Sequence, residues 1–279
     1  MALIRLPDEL NREGLGKYLR IIDECEECDG SGDQIVMSED DEDVGEIIPC
    51  ECKKRALYLF RLDRANVPKK YRGFGYEDLR PDFVEKNARM LRKVHAFQRD
   101  MRMHVAEGNG ILFCGPSGVA KSAIANLLAK EACRLGIPCY VDRLANIVNY
   151  RLSFRNPEKL ALVDRILSDD VKLLVLEEVD KARQNMMTTS GGKIYEEALL
   201  EIMGSVYDSE KSLLVTSNLP LDSQQVNQQR TGETIVKEGL DMMYEPHVID
   251  RFRALEPVYF LGDSIRESQR WYRGEEDGE

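Results

Sequence analysis

The chain has 279 residues, 43% of them hydrophobic, which suffices for one large core and a small appendage. It holds no apolar run near the roughly 18 residues that span a bilayer and no basic start followed by a greasy stretch, so a cytoplasmic protein with no signal peptide and no membrane partner is expected. A net charge of −11 excludes a uniformly basic nucleic-acid binder, yet the charge is uneven: residues 1–52 carry 16 acids against 4 basic side chains, and residues 53–72 carry 8 basic side chains against one acid.

In chain order, the first expected element is an amphipathic helix over residues 7–22, with Leu10, Leu15, Tyr18, Leu19 and Ile22 at helical spacing. Cys25 and Cys28 follow at a two-residue interval, with Gly30 and Gly32 behind them. Residues 38–43, nearly all acidic, read as the exposed tip of a loop or hairpin, and Cys50 and Cys52 close this region. Under reducing conditions two close cysteine pairs favour a metal over disulfides, and four thiolates complete a tetrahedral structural zinc site. The other cysteines, Cys114, Cys133 and Cys139, lie in apolar surroundings and read as small buried side chains.

A basic helix from Lys53 to about Asn66 stops at Val67-Pro68. Its Lys53, Lys54, Arg55, Arg61 and Arg64 could meet DNA phosphates or an acidic protein surface. A connector spans residues 71–76, and one long helix is expected over 81–107. From there strands and helices alternate: strands at 111–114, 138–141, 172–176, 212–216 and 258–261, helices at 121–135, 143–168 and 194–208, and short helices over 222–254. That alternation predicts an α/β fold with a parallel sheet covered on both faces. The expected division is an N-terminal metal-binding domain at 1–66, a core at 67–268 and an acidic tail at 269–279, disordered from 274 onward.

Between the first core strand and its helix lies Gly115-Pro116-Ser117-Gly118-Val119-Ala120-Lys121-Ser122. A glycine-rich turn in that context is a Walker A phosphate loop: backbone amides and the helix N-terminus face the phosphates, Lys121 reaches the β- and γ-phosphates, and the Ser122 hydroxyl ligates magnesium. Ala120 stands where glycine is usual. The apolar strand Leu173-Leu-Val-Leu176 delivers Glu177 and Glu178, a Walker B arrangement. Glu177, where aspartate is commoner, would help hold magnesium, and Glu178 would polarise the attacking water. ATP, magnesium and zinc are therefore the expected cofactors.

These motifs resemble the DnaC/IstB family of AAA+ ATPases, and the likeness covers roughly residues 50–268. It rests further on Ala65-Asn-Val-Pro-Lys-Lys-Tyr71, on Leu213-Leu-Val-Thr-Ser-Asn-Leu219, and on the block from Val248-Ile-Asp-Arg251 through Gly262-Asp-Ser264-Ile-Arg266. Val206-Tyr207 departs from the arginine-tyrosine that the family often has there. The resemblance implies an AAA+ P-loop core; with 28 residues after Arg251, no C-terminal lid is expected. It makes Asn218 the sensor, donating to phosphate and accepting from water, and makes Arg251, or failing that Arg253, a finger inserted into a neighbouring subunit's site. It further implies a DnaB-type helicase as partner, single-stranded DNA contacted by Tyr150, Arg151, Phe154 and Arg155, and an ATP-dependent spiral homo-oligomer. The family also includes IstB-like transposition ATPases, and an ATP-binding adaptor with negligible hydrolysis is a further alternative.

Overall fold

The computed structural model describes residues 16–37, 45–182, 192–209, 211–227 and 234–262. The start of the first expected helix (7–15), the acidic run 38–43, and residues 263–279 with the tail and the end of the C-terminal block lie outside them. The chain divides into two compact units, Met1–Arg64 and Ala65–Glu279.

The smaller unit is a helix, a hairpin and a second helix: α1 (Gly16–Asp23), β1 (Asp33–Met37), β2 (Gly45–Pro49) and α2 (Glu51–Arg64). The strands pair antiparallel, with Ile35 opposite Ile47. Tyr18 and Ile22 of α1 pack on Ala56 and Phe60 of α2, with the Tyr18 and Phe60 rings edge to face. So small a core holds little apolar area, and such units usually need a further staple.

The larger unit begins with the short helices α3 (Lys69–Arg72), α4 (Pro81–Lys86), α5 (Ala88–Arg99) and α6 (Met101–Ala106). The single helix expected over 81–107 is thus broken twice. At Asn87 the backbone leaves helical geometry, and the buried side chain donates to the carbonyls of Phe83 and Leu261 (both 2.9 Å) while accepting from the Leu261 N–H (2.8 Å). Asp100 makes the second break. Asparagine and aspartate compete with the helix for backbone partners, and at Asn87 a distant strand exit takes that side chain.

Next come β3 (Ile111–Cys114), α7 (Lys121–Leu135), β4 (Cys139–Arg143), α8 (Leu144–Arg151), α9 (Pro157–Leu167), β5 (Leu173–Glu177), α10 (Gly192–Asp208), β6 (Ser212–Ser217), the hairpin β7 (Gln224–Asn227) and β8 (Thr234–Lys237), α11 (Pro246–Arg253) and β9 (Glu256–Tyr259). The hairpin replaces some of the short helices expected over 222–254, and the last strand starts two residues earlier than expected. Five strands form one parallel sheet in the order β4-β5-β6-β3-β9. Strands β3, β5 and β6 are buried throughout, which matches their uninterrupted apolar sequences. After β3 the chain crosses to the far edge to make β4, so β3 marks a reversal of strand order, where open α/β sheets place their ligands.

Helix α7 is rich in alanine and leucine and packs across the sheet; Gly136, left-handed at φ 73°, ends it by donating to the Cys133 carbonyl (3.2 Å) while Ile137 donates to that of Ala132 (2.8 Å). At the sheet's edge, Val141 of β4 donates to the Ala65 carbonyl (2.9 Å) and accepts from the Asn66 side chain (2.8 Å). At Gly110 a Cβ would lie 2.1 Å from the Leu213 carbonyl oxygen of β6. Neither backbone can yield without separating the strands, so Gly110→Ala is expected to destabilise by about 2–3 kcal/mol and lower the thermal midpoint by roughly 5–10 °C, read by circular dichroism melting.

Candidate nucleotide and metal sites

The turn from β3 into α7 is built on left-handed backbone: φ is 143° at Gly115, 86° at Gly118 and 62° at Ala120. At Gly115 a Cβ would meet the Phe260 carbonyl oxygen at 2.4 Å, so only glycine fits. Ala120 has room for its methyl but adopts a conformation that L-residues disfavour by roughly 1–2 kcal/mol, which is why glycine is usual there. Pro116 and Ser117 are exposed, Val119 is buried, and the turn delivers Lys121 as the first residue of α7.

Lys121 is buried, and its Nζ donates to the carbonyls of Gly115 (2.7 Å) and Pro116 (2.6 Å) and to Asn218 Oδ1 (3.0 Å). Asn218 follows β6 directly. Lys121, Ser122, Glu178 and Asn218 line one cleft at the carboxyl ends of β3, β5 and β6, together with Tyr71, Asp180 and Thr216.

Glu177, the last residue of β5, is buried, and its Oε1 accepts from Asn126 Nδ2 (2.9 Å). Asn126 lies one turn beyond Ser122 on α7 and also donates to the Ser122 carbonyl (2.7 Å). Burial pushes the Glu177 carboxyl above its ordinary pKa, against the opposing hydrogen bonds from Asn126 and Ser122. Glu178 turns away from the strand in left-handed geometry (φ 55°), its N–H held by Thr216 Oγ1 (3.0 Å). Its carboxylate lies between Lys181 (2.9 Å) and Arg143 (3.4 Å).

Arg251, on α11, is not among the residues that line the cleft, and its Nη1 donates to the Met203 carbonyl of α10 (2.6 Å). Arg253 is half exposed and pairs with Asp222 (2.9 Å) and Asp250 (3.1 Å). The four residues expected at DNA are not one array. Tyr150 packs partly on the core, where burial raises its hydroxyl pKa, and Arg151 is engaged by Glu201 (Nε 3.1 Å). Phe154, 71% exposed, and Arg155 project from the turn between α8 and α9.

Sequence reading missed Asn126, Asp180, Thr216 and Arg143. Two of these had a visible signal: a polar amide in an alanine- and leucine-rich helix four residues after Ser122, and a third acid three residues after Glu177. Thr216 and Arg143 meet Glu178 only through strand pairing.

In the smaller unit the Sγ atoms of Cys25, Cys28, Cys50 and Cys52 all lie within 4.8 Å of one another, Cys25 to Cys50 at 3.9 Å and Cys28 to Cys52 at 3.5 Å. Zn–S bonds of about 2.3 Å in a tetrahedron place sulfurs roughly 3.8 Å apart, so the donor set fits such an ion. The first pair sits in a knuckle: Asp29, Gly30 and Gly32 are left-handed, and the Gly32 N–H reaches Cys28 Sγ (3.2 Å). Burial opposes the Cys28 thiolate, but the Gly32 amide and the neighbouring thiols outweigh it and bring its pKa to about 7. The basic face of α2 is not free for a partner along its length. Lys53 is buried and donates to both oxygens of Asp33 (2.8 and 3.0 Å), and Lys54 pairs with Glu51.

Residues 82–248 match the model of a family described as IstB-like ATP binding protein. Among solved structures the chain is similar to the DnaC helicase loader, at 18% identity and a TM-score of 0.48 over 70% of this chain and 100% of that one. It is similar to DnaI, at 17% identity and 0.46 over 71% and 93%. It is also similar to AMPPCP-bound DnaA from Aquifex aeolicus, at 16% and 0.43 over 68% of this chain and 53% of that one, and so spans about half of that protein's length. No curated protein matches the chain.

Two outcomes test this geometry. Ala120→Gly relieves the left-handed alanine and should stabilise the core by about 1 kcal/mol, raising its thermal midpoint by roughly 2–4 °C. Because the folded-state pKa of Glu177 is raised, the buried charge weakens the fold above the unfolded carboxyl pKa and not below it. Glu177→Gln should therefore melt higher than wild type at pH 7.5, and that advantage should vanish in melts near pH 4.

Proposed function

We propose that this chain, which belongs to the IstB-like ATP-binding protein family, hydrolyses ATP to load a DnaB-type replicative helicase onto single-stranded DNA. The observation that carries the ATPase reading is the meeting of Lys121, Ser122, Glu178 and Asn218 in one cleft, with Glu177 behind it tied through Asn126 to the Ser122 carbonyl. The backbone N–H groups of Ser117, Gly118, Val119 and Ala120 and the Lys121 ammonium take the phosphates. Ser122 and Glu177 would hold magnesium, which would supply positive charge to neutralise the phosphates. Glu178 orients and deprotonates the attacking water once its carboxylate leaves Lys181 and Arg143; Thr216 keeps its backbone in place meanwhile.

Arg251 completes the site from a neighbouring subunit, which makes ATP turnover depend on a homo-oligomer, here an ATP-dependent spiral. To reach across, its guanidinium exchanges the Met203 carbonyl for a phosphate oxygen. Phe154 and Arg155 offer an exposed aromatic and a cation to single-stranded DNA, a pairing that tolerates any base. The four-cysteine unit is the helicase-binding domain, with structural zinc supplying much of its folding free energy. The four-cysteine unit favours the loader over a transposition ATPase, because transposition ATPases of the family it resembles generally have no such unit.

The deciding measurement is ATPase rate against protein concentration, with and without single-stranded DNA. Wild type should show a rate per subunit that climbs with both, and Arg251→Ala should bind ATP normally while turnover falls at least ~100-fold. ATP binding with no turnover under any condition would replace the loader with an adaptor that uses ATP as a structural ligand. Separately, the purified chain should carry one zinc per subunit by atomic emission. Cys28→Ser should abolish that zinc and the cooperative melting of the smaller unit, and a strong chelator should do the same to wild type.

A further inference from the structure

Asp180 has no role in the reading above, yet it is buried in the nucleotide cleft beside Asn218. Its Oδ1 accepts the Asn218 backbone N–H (3.1 Å) and its Oδ2 accepts from Asn218 Nδ2 (2.8 Å). On its other side Asn218 Oδ1 accepts from Lys121 Nζ (3.0 Å). Chemistry alone fixes this amide's orientation. An ammonium has three donors and no acceptor, so only the amide oxygen can face Lys121, and the NH2 is left for the acid.

We propose that Asp180 is a positioning residue of the nucleotide site, which sets Asn218 so that an acceptor and not a donor faces the cleft. Asn218 then does not donate to the γ-phosphate, as its sequence position suggests. Its oxygen instead steers the Lys121 ammonium, and can take a hydrogen bond from water beside the phosphate. The carboxylate acts through Asn218 and touches no reacting atom. The proposal rests on the ATP-binding reading and adds to it the origin of the sensor's polarity.

Asp180→Asn tests it with almost no change of shape. With the new amide's oxygen on the Asn218 backbone N–H, its NH2 would confront the NH2 of Asn218. Asn218 must then rotate, turning a donor toward Lys121, and the contact is lost. Binding of fluorescent ATPγS and ADP to the full chain, with magnesium, is compared for wild type, Asp180→Asn, Asn218→Ala and the double variant. The readout is the ratio of the two affinities, because a general loss of folded protein lowers both nucleotides together.

The expected result is a roughly tenfold fall in preference for the triphosphate in each single variant, and no further fall in the double variant. Asp180→Ser, which leaves the Asn218 amide without its acid, should reproduce the fall, so a folding defect in one variant does not decide the matter. Equal effects of Asp180→Asn with and without Asn218, or a wild-type ratio in Asp180→Asn, would overturn the proposal while leaving the ATP site standing. A wild-type chain that binds neither nucleotide would overturn both.

Discussion

The parallel pairing of β3 with β6 is the constraint on which the rest of the larger unit depends. It registers Cys114 against Ser217, so the two strands end side by side, one running into the phosphate loop and the other into Asn218. Lys121 and Asn218, 97 residues apart in the chain, thereby come within a hydrogen bond of each other. The close approach of Gly110 to Leu213 sets the opposite end of the same pair. Pairing of β5 with β6 then adds the acids, and Thr216 of β6 takes the N–H of Glu178.

Four ionisable side chains share this cleft and its rear wall: Lys121, Glu177, Glu178 and Asp180. Charges removed from water are tolerated only when their hydrogen-bonding capacity is met. Two neutral amides serve here as intermediaries. Asn126 links the Ser122 carbonyl to Glu177, and Asn218 links Lys121 to Asp180. Each amide fixes an ionisable group without adding net charge, so Glu177 and Lys121 are held in place by contacts within the chain itself. The raised pKa of Glu177 and the left-handed backbone at Ala120 and Glu178 are the local destabilisation that accompanies it.

The parallel sheet was legible because its strands are short apolar runs separated by helical periodicity, and that pattern survives in every core element from Ile111 to Ser217. The phosphate loop and the acid pair were legible because their spacing is local. What could not be read was decided at long range. Asn87 looks like any polar residue in an amphipathic helix until its partner, Leu261, is brought 174 residues back to it. Asp180 is one more acid after two others until β6 places Asn218 above it. The hairpin of β7 and β8 sits in polar sequence with no turn signature strong enough to oppose a helix reading. On α2 the basic count was right, but Asp33 and Glu51 engage Lys53 and Lys54, which composition cannot reveal. The same holds for Tyr150 and Arg151, whose aromatic and cationic character says nothing of Glu201 or the core beneath them.

The stitch between Ala65, Asn66 and Val141 closes part of the sheet's border. Strand β4 is the outer strand of the sheet, and an outer strand displays unsatisfied amides and carbonyls that invite another chain to add itself. Here both outward groups of Val141 are already occupied, one by a main-chain carbonyl and one by a side-chain amide. The two residues that open the larger unit thus act as a selvedge. A fragment begun at the connector's Val67 would keep all five strands of the parallel sheet and every residue that lines the cleft, yet would leave that border open to self-association.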